Sequence, residues 1–177
     1  AAAVCRGDVY LLAGKPYLIR CSGHGFLRPR RAIPGQSFSG EVVAVGRSVA
    51  FPAPGDDVYG EAPAGAFAEY VAVDATRLAR KPARATHGEA AALALSGLTA
   101  LQGLLQVGEL RPGERVLING ASGSVGTLAV QVARAAEAVV TAVCSARHVT
   151  LMQSLGADQV INYARSDFTR SPDRYDV

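Results

Sequence analysis

The sequence predicts two folds in series: a small, mostly antiparallel β domain over residues 1–85, and the first half of a doubly wound parallel α/β domain over residues 86–177. Three observations support this division. The first part is rich in glycine and proline and contains short runs of alternating polarity, which are strand and turn signals. After it, Ala- and Leu-rich runs alternate with short apolar strands. A glycine-rich turn then joins one of these strands to a helix.

Composition narrows the class of protein. Of the 177 residues, 49% are hydrophobic and 19% are charged, which suits one ordinary core or two small ones. The longest apolar stretches, residues 90–95 and 128–132, are much shorter than the roughly 20 residues of a membrane span, so we expect no membrane partner. The net charge is +3, and the basic residues concentrate in residues 28–31 and 77–84. Neither cluster has interleaved aromatic residues, so we expect no nucleic-acid partner.

The cysteines favour a reducing compartment. Cys5, Cys21 and Cys144 make an odd count without C-x-x-C spacing, which argues against a disulfide framework and against a structural zinc site. The first residues carry no secretory signal pattern. We therefore expect a cytoplasmic protein.

The elements of the β domain follow from local patterns. Residues 40–45, 57–59 and 67–73 alternate in polarity and predict strands, separated by turns such as Pro34-Gly35. Residues 8–13 predict a short helix that ends at Gly14.

The α/β part begins at Thr86, which stands three residues before Glu89 as in a capping box and predicts a helix reaching Leu105. The pattern then predicts strand 115–119, loop 120–126, helix 127–136, strand 138–144, helix 148–155 ending at Gly156, and strand 159–163. This order indicates a parallel sheet with right-handed crossovers. Residues 175–177 predict the opening of a fourth strand.

The glycine loop is the strongest chemical signal. Gly120 permits a tight turn, Gly123 lets the backbone approach a pyrophosphate, and Gly126 lets the helix pack against the strand. The free N–H groups of the helix then bind the phosphates. Because strand, loop and helix agree, the sequence predicts a dinucleotide site.

The residues after the second strand favour NADPH over NADH. An NAD site calls for an acid there to bind the ribose 2′-hydroxyl, and this sequence has none. Ser145, Arg147 and His148 instead supply donors and positive charge for a 2′-phosphate. The alternative is that Arg147 only begins a surface helix.

Taken together, these residues resemble the zinc-free, quinone oxidoreductase-like and enoyl reductase-like branch of the medium-chain dehydrogenase/reductase superfamily. The resemblance covers almost the whole chain. Besides the glycine loop, it rests on Asp8 and on residues 2–4, 34–35, 40–46, 54–60, 65–71, 90–93, 97–100 and 154–158.

The resemblance implies a GroES-like β domain beside a Rossmann domain, with hydride transfer from NADPH to a quinone or another activated double bond. It also implies which residues hold the cofactor: Thr99 near the nicotinamide, and Gly120, Ser122, Gly123, Ser124, Val125, Gly126, Ser145, Arg147 and Tyr163 around the rest of the dinucleotide. Tyr17 resembles the tyrosine of enoyl thioester reductases, displaced by one residue, and is the candidate catalytic donor to a substrate carbonyl. A loop or core tyrosine is an equal alternative for Tyr17.

Two departures from the family pattern bear on the chemistry. Cys5 stands where the quinone-reductase branch commonly has Asn and where zinc alcohol dehydrogenases have a metal ligand, but Gln36 and Ser37 replace the other expected ligands. One thiolate is not a zinc site, so we expect no metal and a buried packing role for Cys5. Residues 136–138, Ala-Glu-Ala, lack the usual glycine after the first Rossmann helix, which leaves the helix end in doubt.

The expected partners are a small-molecule substrate and, for the complete protein, a second copy of the chain. Two alternatives to an NADPH-dependent reductase stay open: a non-catalytic NADPH-binding homologue, favoured by Cys5 in place of Asn, and a zinc alcohol dehydrogenase-like enzyme. The chain does not begin with Met and stops as a strand opens, so we expect both termini to be cut. Residues 1–177 alone are then expected to aggregate and to be inactive, because unpaired apolar edges invite association.

Overall fold

A computed structural model describes residues 1–18, 32–170 and 172–177. Cys21, His24 and the basic cluster at residues 28–31 lie outside the described residues. The chain divides into two compact units, Ala1–Leu95 and Ser96–Val177. This division falls inside a helix, whereas the sequence pattern places the boundary before it, at residue 85.

The first unit is built on an antiparallel sheet with the strand order β1-β2-β3-β4. These strands are β1 (Ala2–Ala3), β2 (Ser37–Glu41), β3 (Asp57–Glu61) and β4 (Leu78–Arg80). Phe38, Ala62 and Ala66 form a small buried cluster on this unit, with Val71, Val73 and Leu78 packed against it. The predicted β domain is therefore confirmed in class, and its core is small.

Two strand predictions in this unit are wrong in detail. Residues 67–73 form no strand, and β2 ends at Glu41 instead of reaching residue 45. On the side away from β2, β3 pairs with β4, where Val58 lies opposite Arg80. No alternation of polarity in the sequence predicted β4. Alternating polarity shows that a segment can have two faces, but a strand also needs a partner backbone, and local sequence does not supply that information.

Helix α1 (Arg6–Ala13) has Cys5 as its N-cap residue and Gly14 as its C-cap residue, and Gly14 ends the helix as predicted. The Asp8 carboxylate accepts a hydrogen bond from the Cys5 N–H at 2.8 Å, which satisfies a donor outside the helix. Gly14 adopts a left-handed conformation with φ of 57° and closes the last turn with its own N–H. The helix starts two residues earlier than expected because Asp8 lies in its first turn as the capping acid.

Helix α2 (His87–Leu101) starts at the predicted capping box. The Glu89 carboxylate accepts from the Thr86 N–H at 2.8 Å, and the Thr86 hydroxyl oxygen accepts from the Glu89 N–H at 3.2 Å. Hydrogen bonding from Thr86 also lowers the pKa of the Glu89 carboxyl. After Leu101 the helix widens into a π-helical turn, Gln102–Val107, so the predicted helix is longer but less regular than expected.

The helical segment His87–Val107 is long and apolar enough, by length and composition, to cross a membrane. The sequence predicts no span, because small or polar residues interrupt its longest apolar stretches. It is weak evidence for a span, because the core helix of a globular protein meets the same criteria. The Ser37 hydroxyl donates to the Ala91 carbonyl at 2.6 Å, which fixes the start of this segment on the β sheet.

A polar cluster joins β2, β3 and the first residue of α2. The buried Ser39 hydroxyl donates to the Val58 carbonyl and shares a hydrogen bond with His87 Nδ1, both at 2.8 Å. On the other side of the ring, His87 Nε2 lies 3.4 Å from the Asp57 carboxylate, which is also 3.5 Å from Lys81 Nζ. These contacts satisfy a buried hydroxyl and hold the helix start against two strands.

The second unit is built on a parallel sheet of the order β5-β6-β7, which confirms the predicted parallel pairing. Its strands are β5 (Arg115–Asn119), β6 (Val139–Cys144) and β7 (Gln159–Asn162). Two helices, α3 (Ser124–Ala135) and α4 (Val149–Ser154), connect them. The buried core contains Val116, Ile118, Val130, Val140, Ala142 and Met152.

The last residues pair with β5 on the side away from β6. The Asp176 N–H donates to the Arg115 carbonyl at 2.8 Å, and the Leu117 N–H donates to the Val177 carbonyl at 3.0 Å. The chain thus passes from β7 across to the other side of β5. This reversal of direction is the topological switch point of a doubly wound sheet.

Helix α3 ends on a strained residue. Glu137 has a φ of 59°, a left-handed conformation that usually falls to glycine. Its N–H donates to the Arg134 carbonyl at 3.0 Å, and the Ala138 N–H donates to the Ala133 carbonyl at 3.1 Å. The sequence left this end in doubt because the usual glycine is missing. The helix nevertheless closes in the ordinary way, and Glu137 carries the strain.

We expect Glu137→Gly to stabilise the second unit by about 0.5–1 kcal/mol, because glycine adopts this conformation without a Cβ penalty. Glu137→Ala is the matched control, since it removes the same carboxylate but keeps the Cβ. Thermal or urea unfolding of the complete protein gives the comparison. Equal stability of the glycine and alanine variants would show that the turn is not strained.

Candidate dinucleotide-binding site

The turn after β5 forms as its glycines predicted. Gly120 has a φ of 73°, which turns the chain sharply at the end of the strand. The Gly120 carbonyl then accepts from the Gly123 N–H at 2.9 Å, and the Ala121 N–H donates to the Val143 carbonyl of β6 at 3.0 Å. The loop is therefore held both to itself and to the neighbouring strand.

Gly126 lies against the backbone of this turn. A Cβ added at Gly126 would lie 2.5 Å from the Gly120 carbonyl oxygen and 2.6 Å from the Ala121 Cα. Both neighbours are backbone atoms, so they cannot move aside as a side chain would. At Gly123 an added Cβ would lie 3.3 Å from the same carbonyl oxygen. The predicted packing role of Gly126 agrees with this geometry.

Helix α3 starts at Ser124, three residues before the predicted start, because Gly126 fits inside its first turn. Gly123 is its N-cap residue in extended conformation, and no side chain among the described residues caps the helix. Ser124 and Val125 are exposed, and Ser122 is half-buried. The first N–H groups of a twelve-residue helix thus remain available to an anion.

The ends of β6 and β7 bring further predicted residues to the same edge of the sheet. Ser145 follows β6 and is half-buried, and Arg147 is exposed in the 3₁₀ turn Ala146–His148. Tyr163 follows β7, donates its N–H to the Cys144 carbonyl at 3.3 Å, and is 60% exposed. In a parallel sheet the carboxyl ends of all strands meet at one edge, so these residues share the edge with the glycine loop.

The charges at this edge suit a phosphate. Among the described residues Arg147 has no ion-pair partner, and no acid follows β6 directly. Asp158, the acid that contacts β6, lies at the opposite end, where its carboxylate accepts from the Val140 N–H at 2.8 Å. A guanidinium and a hydroxyl thus stand where an NAD site would have a carboxylate.

The binding and catalytic roles of all the predicted site residues stay predictions, and two of these residues do not belong to the strand ends described above. Thr99 is exposed on α2 in the second unit, and its place beside a nicotinamide stays a prediction. Tyr17 belongs to the first unit and is 67% exposed. This exposure excludes a core tyrosine but leaves its catalytic role a prediction.

Cys5 is half-buried and sits at the start of α1 instead of filling a core, which corrects the expected packing role. Its pKa is raised, because burial disfavours the thiolate and the neighbouring Asp8 carboxylate accepts a hydrogen bond from the thiol. The described residues contain no group of three His, Cys, Asp or Glu side chains that could hold a metal ion.

Sequence reasoning missed the contacts that hold the site in place. Val143 anchors the glycine loop through its carbonyl, and Asp176 accepts a hydrogen bond from the Arg115 N–H at 2.8 Å, next to the switch point. Both contacts join residues far apart in the chain. No local pattern could have found them.

Comparison with known proteins agrees with this geometry. Residues 1–83 match the alcohol dehydrogenase GroES-like domain. The chain is 33% identical to the quinone oxidoreductase from Coxiella burnetii, with a TM-score of 0.83 over 95% of this chain and 53% of that one. The chain belongs to the medium-chain dehydrogenase/reductase superfamily.

Curated relatives of this medium-chain dehydrogenase/reductase chain are oxidoreductases. The human mitochondrial NAD(P)H oxidoreductase RTN4IP1 is 43% identical over 136 residues, which cover 73% of this chain and 34% of the relative. The tomato (Solanum lycopersicum) 2-methylene-furan-3-one reductase is 37% identical over 160 residues, 84% of this chain and 41% of the relative. The chain thus spans less than half the length of these two relatives.

We expect Gly126→Ala to distort the turn and to lower both the stability of the second unit and its affinity for a dinucleotide. The added methyl would contact backbone at 2.5–2.6 Å, so a cost of about 1–3 kcal/mol is expected. Gly103→Ala is the control, because a Cβ at Gly103 meets nothing within 4 Å. Urea unfolding and fluorescence titration measure the two effects. Similar behaviour of the two variants would contradict the close packing at Gly126.

Proposed function

We propose that the complete protein is an NADPH-dependent reductase that transfers hydride to a quinone, an enone or another activated double bond, without a metal. The observation that supports it most is the carboxyl edge of β5, β6 and β7, which carries a glycine turn, the N-terminus of α3 without a side-chain cap, and Arg147, which forms no ion pair with any described residue. Relatives named as NAD(P)H oxidoreductase, quinone oxidoreductase and alkenal/one oxidoreductase support the reaction class.

In this proposal the cofactor supplies the hydride and the protein supplies binding and orientation. The residues present suit each part of the dinucleotide. The backbone of the glycine loop and the first turn of α3 bind the pyrophosphate, since their N–H groups face outward at a positive helix end. Ser145, Arg147 and Tyr163 bind the ribose 2′-phosphate. Tyr17 is the proposed donor to a substrate carbonyl, because a phenol stabilises the charge that develops on the oxygen.

A choice of NADPH over NADH is supported by charge. Repulsion from an acid would disfavour a 2′-phosphate, and the position after β6 holds Ser145 and Arg147 instead. One solved relative, the Escherichia coli quinone oxidoreductase complexed with NADPH, has a TM-score of 0.78 and 29% identity, covering 94% of this chain and 49% of that one. The cytoplasmic setting and the homodimer stay predictions.

Arg147→Asp is expected to weaken NADPH binding by about 2 kcal/mol, roughly thirtyfold, and to remove the preference over NADH. The control is Arg111→Asp, which makes the same charge change at an exposed residue before the amino end of β5. Fluorescence titration with both cofactors measures the effect. Equal dissociation constants for NADPH and NADH in the unmodified protein would refute the proposed specificity.

A metal-free reaction is supported by the surroundings of Cys5. A zinc ligand must be a thiolate, whereas burial and Asp8 raise the pKa of this thiol and so favour the protonated form near neutral pH. Gln36, whose amide oxygen faces the same segment, is a poor zinc ligand compared with His or carboxylate.

We expect elemental analysis of the purified complete protein to find much less than one zinc per chain, and chelators to leave NADPH oxidation unchanged. One tightly held zinc per chain, lost together with activity, would move the protein to alcohol dehydrogenase chemistry.

A second candidate is an NADPH-binding homologue without turnover, favoured by Cys5 in the position where Asn is common. Stopped-flow oxidation of NADPH by a panel of quinones and enones separates the two candidates. Turnover with any acceptor supports the reductase. Tight NADPH binding without oxidation by any acceptor supports the non-catalytic homologue.

A further inference from the structure

The dinucleotide loop opens with an Asn-Gly pair. Asn119 is the last residue of β5, and Gly120 makes the sharp turn that follows. In such a pair the backbone nitrogen of glycine attacks the side-chain carboxamide carbon, because glycine has no Cβ to hinder the approach. The new C–N bond closes a succinimide ring and ammonia leaves. Water then opens the ring to aspartate or isoaspartate, so the net reaction consumes only water.

The structure leaves this pair accessible. Asn119 and Gly120 are both exposed. A Cβ placed on Gly120 would meet nothing within 4 Å, so no neighbouring atom crowds the turn. The Asn119 side chain makes no hydrogen bond to any of the described residues, and nothing there holds its carboxamide away from the glycine nitrogen.

Asn162 provides a reference within the same edge of the sheet. It ends β7 as Asn119 ends β5. Its amide oxygen, however, accepts the Ala164 N–H at 3.1 Å, and its side chain is half-buried. The residue after it is Tyr163, whose Cβ hinders the attack. Two asparagines at equivalent strand ends therefore differ in the features that control the reaction.

Deamidation at Asn119 would act on the loop directly. The Gly120 carbonyl accepts from the Gly123 N–H at 2.9 Å, and a Cβ added to Gly126 would lie 2.5 Å from its oxygen, so this carbonyl packs closely against the first turn of α3. Isoaspartate at position 119 adds a methylene to the main chain just before Gly120, whose carbonyl makes these contacts. Both products also add a negative charge beside the N-terminus of α3, where the phosphates of a dinucleotide are proposed to bind.

We propose that Asn119–Gly120 is a spontaneous deamidation site and that its products lower the affinity of the protein for NADPH. The second part of this proposal rests on the proposed function. The first part is independent of it, since the chemistry requires only the Asn-Gly pair and water.

The modification is tested by ageing the purified complete protein at mildly alkaline pH and mapping its peptides by mass spectrometry. A purified isoaspartyl methyltransferase labels the isoaspartate product separately. The expected result is that acid accumulates at Asn119 severalfold faster than at Asn162, with isoaspartate among the products. Equal rates at the two positions would overturn the modification site.

The effect on binding is tested by NADPH titration of fresh and aged protein. Affinity is expected to fall severalfold on ageing, and Asn119→Asp, made fresh, is expected to show the part of the loss that charge alone causes. The affinity of Asn119→Gln is expected not to change on ageing. Aged protein with the modified loop and unchanged affinity would refute the effect on binding. Fresh protein that binds no NADPH would instead refute the proposed function, while peptide mapping would still judge the modification.

Discussion

The second unit depends on the close contact between Gly126 and the backbone of the turn before it. Because no Cβ stands between them, α3 can begin directly over Gly120 and Ala121. This position points the first N–H groups of α3 outward at the carboxyl edge of the sheet. The Ala121 bond to β6 then fixes the turn relative to the neighbouring strand. The position of α3 and the candidate anion site both follow from this one backbone approach.

The first unit is held together differently, by polar groups buried between its sheet and α2. The Ser37 hydroxyl donates to the Ala91 carbonyl inside α2. The Ser39 hydroxyl shares a hydrogen bond with the ring of His87, the first residue of α2. Phe38, between them, belongs to the small apolar cluster. The apolar core of this unit is small, so its buried hydrogen bonds matter for stability. Each satisfied hydrogen bond contributes on the order of 1 kcal/mol to the free energy of unfolding, and leaving one of the buried hydroxyls unpaired would cost more.

The two ends of β6 show how charge is distributed in the second unit. At the amino end, Asp158 satisfies the Val140 N–H and lies 3.4 Å from the Arg134 guanidinium, so this acid has a structural role. At the carboxyl end, Ser145 and Arg147 form no hydrogen bond or ion pair with an acid in the part of the chain that the structure describes. The carboxyl end of β6 therefore attracts a negatively charged ligand. At the amino end, the Arg134 guanidinium already pairs with the Asp158 carboxylate.

The sequence by itself determined the fold class and most of the candidate site. Strand 115–119, the Thr86 cap and the roles of Gly120 and Gly126 could be predicted because turn, cap and helix chemistry act over a few neighbouring residues. Only the tertiary structure decided which segments pair. β4 pairs with β3, whereas residues 67–73 form no strand, and Val177 pairs with β5. Glu137 adopts the left-handed conformation that glycine usually has. These outcomes depend on partner backbones distant in the chain, and a strand or a strained turn is stable only when its partner is in place.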